Sequence, residues 1–181
     1  MAIFALIGQS SSGKSTVESV LESAGYPRII SYTTRAIREN EKEGVAYHFI
    51  DTDTFKRLDS EDFFTETATY NGWHYGLSLN GIDYENKDYI VVVTIDGYKE
   101  LVEAVGEQNI VGIHIKVEER IRIIRQLKRG DAVDEVIRRI YTDRTDFAGV
   151  EDVCRYTVVN EELMNTLYEV KAIIYYHKSA K

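Results

Sequence analysis

Gly8-Gln9-Ser10-Ser11-Ser12-Gly13-Lys14-Ser15 is a complete G-x-x-x-x-G-K-S string, and its flanks decide how the chain folds. An unbroken apolar run, Ala2 to Ile7, leads into it as a buried strand would. Ser15 to Ala24 follows, with Val17, Val20 and Leu21 at helical spacing. A string of this kind between strand and helix is a phosphate-binding loop, whereas the same letters elsewhere are an ordinary Gly/Ser turn. Gly8 and Gly13 turn without a Cβ, so backbone N–H groups converge on phosphate oxygens, and the helix N-terminus adds its positive dipole end. Lys14 supplies a point charge to the outer phosphates, and the Ser15 hydroxyl is the expected Mg²⁺ ligand. Gly8, Ser10, Ser11, Ser12, Gly13, Lys14, Ser15 and Thr16 are therefore the expected contacts for ATP or another nucleoside triphosphate.

Composition narrows the setting. The chain has 181 residues, 44% of them hydrophobic, which suits one domain with a sizeable core. No run approaches transmembrane length and no leader pattern stands at the N-terminus, so a soluble, cytoplasmic protein with no membrane partner is expected. One cysteine, Cys154, rules out an internal disulfide and reads as a buried thiol. The net charge of −8 argues against a nucleic-acid partner, which needs broad basic surface. The arginines nevertheless cluster at 35–38 and at 120–144, which predicts local anion sites on an acidic body.

Apolar strands are expected at Ala2–Ile7, Ile29–Ser31, Tyr89–Thr94, Ile110–Ile115 and Tyr156–Val159. Helical periodicity covers Ser15–Ala24, Thr54–Leu58, Tyr98–Ala104, Glu118–Arg129, Asp134–Phe147 and Glu161–Tyr176, the last with Asn160 as its expected N-cap. Alternation of continuous apolar strands with helices predicts a three-layer α/β fold around a parallel sheet. From Tyr47 to Tyr75 the pattern changes to short strands of antiparallel character, so a small inserted lobe is expected at about 32–80.

A second site is legible in Ser31-Tyr32-Thr33-Thr34-Arg35-Ala36-Ile37-Arg38-Glu39-Asn40-Glu41, followed by Gly44, Tyr47 and Phe49. Two arginines close together on a loop, with a tyrosine beyond, can wrap a phosphate with fork donors and a hydroxyl. Downstream, Glu66 on a strand offers a carboxylate able to accept from both N1–H and N2–H₂ of guanine. Taken singly, these residues also read as solvated loop and strand charges, and Tyr47 and Tyr75 as core aromatics among 13 tyrosines. His48 and His74 read as packed rather than catalytic.

With these motifs the chain resembles the guanylate kinases. The shared pattern runs through Ser31, Thr33, Thr34, Arg35, Arg38, Glu41, Gly44, Tyr47 and Phe49. It continues at Glu66, Tyr75-Gly76-Leu77-Ser78, Arg125 to Gly130 and Val159 to Leu163. The resemblance implies a P-loop kinase fold made of a core (1–31, 81–117, 148–181), a mixed-β NMP-binding lobe (about 32–80) and a helical lid (about 118–147). It implies Mg²⁺-dependent transfer of a phosphoryl group from ATP to GMP or dGMP by a monomer or homodimer. The acceptor set it implies is Ser31, Arg35, Arg38, Glu41, Tyr47, Glu66, Tyr75, Ser78 and Asp96. Lys14, Arg35, Arg125, Arg129 and Arg139 would surround the phosphoryl group in transit, and Asn160 would lie beside adenine.

The chain departs from the family pattern at several places. Ala36-Ile37 and Glu39-Asn40 replace prolines of the acceptor loop, Leu77 replaces a hydroxyl residue beside the guanine edge, and Thr94 removes one of two acidic groups near the metal. The departures keep two alternatives open: a kinase of the same fold for another nucleotide or a ribose phosphate, and a non-catalytic protein-binding module. Lys14 weighs against the module, and Glu66 weighs against another base.

Overall fold

The computed structural model describes residues 1–39, 41–70 and 72–179; Asn40 of the acceptor loop lies outside them. Strand β1 (Ile3–Ile7) is wholly buried and hydrogen-bonds in parallel to β6 (Tyr89–Val92) on one side and β7 (Ile110–Lys116) on the other. Strand β8 (Tyr156–Val159) joins β7 to complete the order β6-β1-β7-β8. Such a sheet needs cover on both faces, which is why its strands read as continuous apolar runs. Phe4, Leu6, Val111, Ile113 and Val158 pack under helices α1 (Lys14–Ser23) and α7 (Leu163–Ser179), through Val17, Leu21, Leu167, Val170 and Ile174. The alternate residues Ile3, Ala5, Ile7 and Val91 pack under α3 (Ile95–Val105) and the short α6 (Val150–Val153). Cys154 is buried on this side, and burial pushes its thiol up to about 11. The expected three-layer α/β architecture is the one observed.

The lobe is a second four-stranded sheet of order β3-β2-β5-β4, made of β2 (Tyr32–Thr33), β3 (His48–Phe49), β4 (Glu66–Tyr70) and β5 (Trp73–Leu77). Only β2 and β3 run parallel; β2–β5 and β4–β5 are antiparallel. Helix α2 (Thr52–Ser60), capped by Asp51 at the Thr54 N–H (2.7 Å), drops Phe55 onto Phe64 and His74, so His74 is packed as expected. Ile29–Ser31, expected as a strand, does not become one. Arg28 makes a single bridge to Ile90, Pro27 has no N–H to give, and the chain then turns off toward the lobe.

Helices α4 (Glu119–Arg129) and α5 (Val133–Asp146) form an antiparallel pair after β7. On α4 the buried residues are Arg122 and Gln126, whereas Ile124 and Leu127 are 41% and 45% exposed. Arg122 is held inward by Asp143 of α5, and Arg125 of α4 reaches the Ser11 carbonyl of the phosphate-binding loop. Among the described residues no helix is long and apolar enough to cross a membrane.

Candidate active site

The loop after β1, the start of α3 after β6, the lobe sheet and α5 surround one cavity of about 660 Å³. It lies outside the carboxyl ends of the core strands, where open α/β sheets place their ligands. On the loop, Gly13 caps α1 with φ 94, a left-handed conformation suited to glycine. A Cβ there would come within 2.3 Å of the Asn160 Nδ2. Asn160 donates that amide to the Ser12 carbonyl (2.7 Å) and accepts from the Thr166 hydroxyl (3.0 Å). Asn160 is therefore a brace behind the loop and not an N-cap, since α7 begins only at Leu163. Lys14 Nζ donates to the Gly8 and Gln9 carbonyls (2.5 and 3.0 Å). Burial lowers its ammonium to about 8, with the nearby Asp143 opposing the shift.

Opposite the loop, Arg35 and Arg38 share one carboxylate. Arg35 is buried: its Nη2 donates to both Glu41 oxygens (2.7 and 2.9 Å), its Nη1 donates to the Ala36 carbonyl (2.8 Å), and its guanidinium lies over the Tyr47 and Phe49 rings. Arg38 is half exposed: its backbone N–H donates to Glu41 (3.0 Å), but its guanidinium stands 3.9 Å from that carboxylate. Burial and the charges of Arg35, Arg139 and Arg129 hold its guanidinium below the ordinary value, with Glu41 pulling the other way. Lobe arginines and helix-pair arginines thus face one another across the cavity. Burial pushes the Tyr47 hydroxyl up to about 12, and Tyr75 stands against it with ring centroids 5.8 Å apart.

Glu66 opens the lobe strand β4 deep in the cavity wall. It is 6% exposed, and its Oε2 has no hydrogen-bond partner among the described residues. Burial, with the second charge of Glu100 beside it, pushes its carboxyl up to about 7. Glu100 accepts the Thr67 N–H (3.1 Å) and so holds β4 against α3. Gly97 makes room: a Cβ there would stand 2.5 Å from Glu66 Oε2. An orphaned buried carboxylate facing a cavity costs free energy unless a ligand supplies donors. Leu77, by contrast, points into the apolar core, and the Ser78 hydroxyl accepts the Asn80 N–H (3.3 Å).

At the start of α3, Thr94 has become the N-cap, its hydroxyl accepting the Gly97 N–H (3.0 Å). The Asp96 side chain lines the cavity rim, 83% exposed and bonded to Lys99 (3.0 Å). Among the described residues no group of His, Cys, Asp and Glu is arranged to hold a metal by itself. The oxygen donor on hand beside the loop is the Ser15 hydroxyl, which fits a cation that arrives with most of its oxygens supplied by phosphate and water.

Of the residues expected from sequence, the structure gathers Gly8, Ser10, Ser11, Lys14, Ser15, Ser31, Arg35, Arg38, Glu41, Tyr47, Glu66, Tyr75, Asp96, Arg129 and Arg139 around this cavity. Ser12, Gly13, Thr16, Ser78, Arg125 and Asn160 do not line it. Arg125 lies behind the loop, donating to the Ser11 and Asn160 carbonyls (3.3 and 3.2 Å). Arg129 and Arg139 meet at Asp131, and Arg139 also bonds Glu135 (2.7 Å). Trp73, Glu100, Asp143 and Asp146 line the cavity without having been singled out. Asp143 left a signal in the sequence: it stands one helical turn from Ile140 and two from Val136, a charge on the apolar stripe of α5.

The sequence profile described as Guanylate kinase matches residues 1–177. The chain is 32% identical over 181 residues to a guanylate kinase of Mycoplasma genitalium, covering 95% of this chain and 74% of that protein. It is 29% identical to one of Sphingopyxis alaskensis, with 95% and 80% covered. Among solved structures, guanylate kinase from Anaplasma phagocytophilum superposes with a TM-score of 0.76 at 25% identity, covering 95% of this chain and 83% of that one.

Proposed function

The chain belongs to the guanylate kinase family, and from that membership we propose how its own residues transfer the γ-phosphate of ATP to GMP. The enzyme is a nucleotide-binding phosphotransferase, and its cavity divides between donor and acceptor. The P-loop N–H groups and Lys14 hold the triphosphate. Mg²⁺ would be held by the Ser15 hydroxyl together with phosphate oxygens, where it neutralises charge on the group in transit. Arg35, Arg38, Tyr47 and Tyr75 bind the acceptor phosphate, with Glu41 fixing both arginines. Glu66 takes the guanine N1–H and N2–H₂, and Ser31 lines the same pocket. With Thr94 committed to its cap and Asp96 to Lys99, neither is assigned a metal; Asp96 stays at the acceptor side.

An acceptor phosphate oxygen attacks the γ-phosphorus in line as the bond to the β-phosphate oxygen breaks and ADP leaves. This direct transfer needs no covalent intermediate, and no general base because the acceptor phosphate is already largely ionised at neutral pH. The chain's contribution is alignment and charge. Arg129 and Arg139 on the α4–α5 pair face Arg38, so closure of that pair would bring three guanidinium groups round the transferring group and exclude water. Arg125 and Asn160 act from behind the loop, beside the nucleoside end of ATP. We assign the core, the 32–80 lobe and the 118–147 lid as the moving bodies. The setting we propose is a soluble cytoplasmic enzyme, monomer or homodimer, acting on free nucleotides.

The observation that carries this reading is the pairing of an unpartnered buried Glu66 with an arginine-lined phosphate site in one cavity facing Lys14. ADP formation from Mg·ATP, measured against GMP, dGMP, AMP, CMP, UMP, dTMP and ribose phosphates, tests it. Turnover confined to GMP and dGMP is expected. Preferred turnover of another acceptor would keep the kinase reading and overturn the Glu66 assignment.

A further inference from the structure

The polar underside of the α4–α5 pair ends on the phosphate-binding loop, and one carboxylate makes the junction. Asp143 of α5 accepts the Ser10 backbone N–H (3.0 Å) and the Arg122 Nη1 of α4 (2.6 Å) on the same Oδ2, while its Oδ1 stands 3.4 Å from the Ser10 hydroxyl. Both ionic side chains are buried, at 4% and 5% exposure. Asp143 nonetheless forms part of the cavity wall beside Ser10 and Lys14.

A buried ion pair is a poor way to gain stability, because desolvation consumes most of the attraction, and two apolar residues would serve as well. What an apolar pair cannot do is accept an N–H from the loop. The first limb of the loop, Gly8 to Ser11, lacks the helical bonds that order the second; Ser11 itself sits at φ 60. Side-chain bonds restrain the limb instead: Lys14 donates to the Gly8 and Gln9 carbonyls and Arg125 to the Ser11 carbonyl, while Asp143 is the acceptor that holds the Ser10 N–H. Arg122 cancels the carboxylate's charge, so the contact survives beside a phosphate that would otherwise be repelled.

We infer that Asp143 is a positioning residue for ATP: it clamps the Ser10 limb of the phosphate-binding loop to the α4–α5 pair, with Arg122 as its neutralising partner. This rests on the reading that the loop holds ATP. Because the clamp spans loop, α4 and α5, the same contact couples the nucleotide to the helices carrying Arg129 and Arg139.

The test is steady-state kinetics with each substrate varied in turn. D143A is expected to raise the KM for Mg·ATP about tenfold, the size of one lost charge-assisted hydrogen bond, with the GMP KM within about twofold of the parent. D143N keeps an acceptor for the Ser10 N–H and is expected to recover most of the loss. Should D143A fold poorly, the double variant R122L/D143L removes both charges together and is expected to melt near the parent while showing the same rise in ATP KM. An ATP KM unchanged or lowered in D143A or the double variant overturns the inference, as does a parallel rise in both KM values or no recovery in D143N. Absence of GMP-dependent turnover in the parent enzyme would instead sink the functional reading itself.

Discussion

Arg35 and Arg38 come from one short loop yet have different surroundings, and the difference assigns them different work. Arg35 is buried and held by Glu41, the Ala36 carbonyl and two aromatic faces, so it is in place before any ligand arrives. Arg38 is half exposed, loosely tied and crowded by other cations, so it gains most when a dianion enters. R38A is expected to raise the GMP KM by about 10–100-fold and leave the ATP KM within about twofold, as initial-rate kinetics will report. Glu66 makes a pH prediction. Only its carboxylate form accepts two donors from guanine, and its group titrates near 7, so the GMP KM should fall as pH rises from 6 to 8. E66Q should abolish that slope, and E100Q should move its midpoint down by removing the neighbouring charge. The stability effect has the opposite sense. The folded protein holds this proton more tightly than the unfolded chain does, so the stabilisation present at acid pH is lost as pH rises through about 7. E66Q is therefore expected to raise the melting temperature of the free protein at pH 8 and to change it little at pH 5.

Among the elements, the junction of α3 with β4 sets the surroundings of Glu66, the pocket proposed for the base. Thr94 caps α3, Gly97 in its first turn leaves room for the Glu66 carboxylate, and Glu100 one turn later pins the Thr67 N–H. A methyl group at residue 97 would overlap that carboxylate, so G97A is expected to raise the GMP KM at least about tenfold with ATP binding intact. Calorimetric titration of each nucleotide will separate the two; equal weakening of both would contradict the assignment. The same junction shows why Leu77 is tolerated in the fold. It faces the core sheet, where an apolar side chain is favoured over a hydroxyl, so any cost of losing the hydroxyl falls on recognition alone.

At the scale of the whole molecule, the cavity wall is contributed by the core, the lobe and the α4–α5 pair. Binding ATP and GMP together should therefore slow amide exchange in β2–β5 and in α4–α5, while ATP alone protects chiefly the loop and α1. Hydrogen-exchange mass spectrometry distinguishes this from a rigid cleft, in which protection would be confined to direct contacts. On an acidic body, Arg35, Arg38, Arg129 and Arg139 gather positive charge around one cavity, which suits the phosphates of the two proposed nucleotides.

The three-layer core, the phosphate-binding loop, the lobe sheet and the loop arginines that line the cavity were legible in the sequence. Those features rest on local physics: apolar runs that must be covered on both faces, a glycine string between strand and helix, and arginines close along one loop. The sequence did not determine which side of α4 is buried. Periodicity groups Ile124 and Leu127 on one face, and only the packed structure shows that Arg122 is buried instead, against Asp143 of α5, with Gln126 one turn on. Asn160 is the same lesson at one residue, an N-cap by local pattern and a brace to Ser12 in the fold. The state of Glu66 and the clamp at Asp143 likewise belong to tertiary structure. Desolvation and a hydrogen bond between residues 10 and 143 depend on which distant groups are brought together, and no local window of sequence records that.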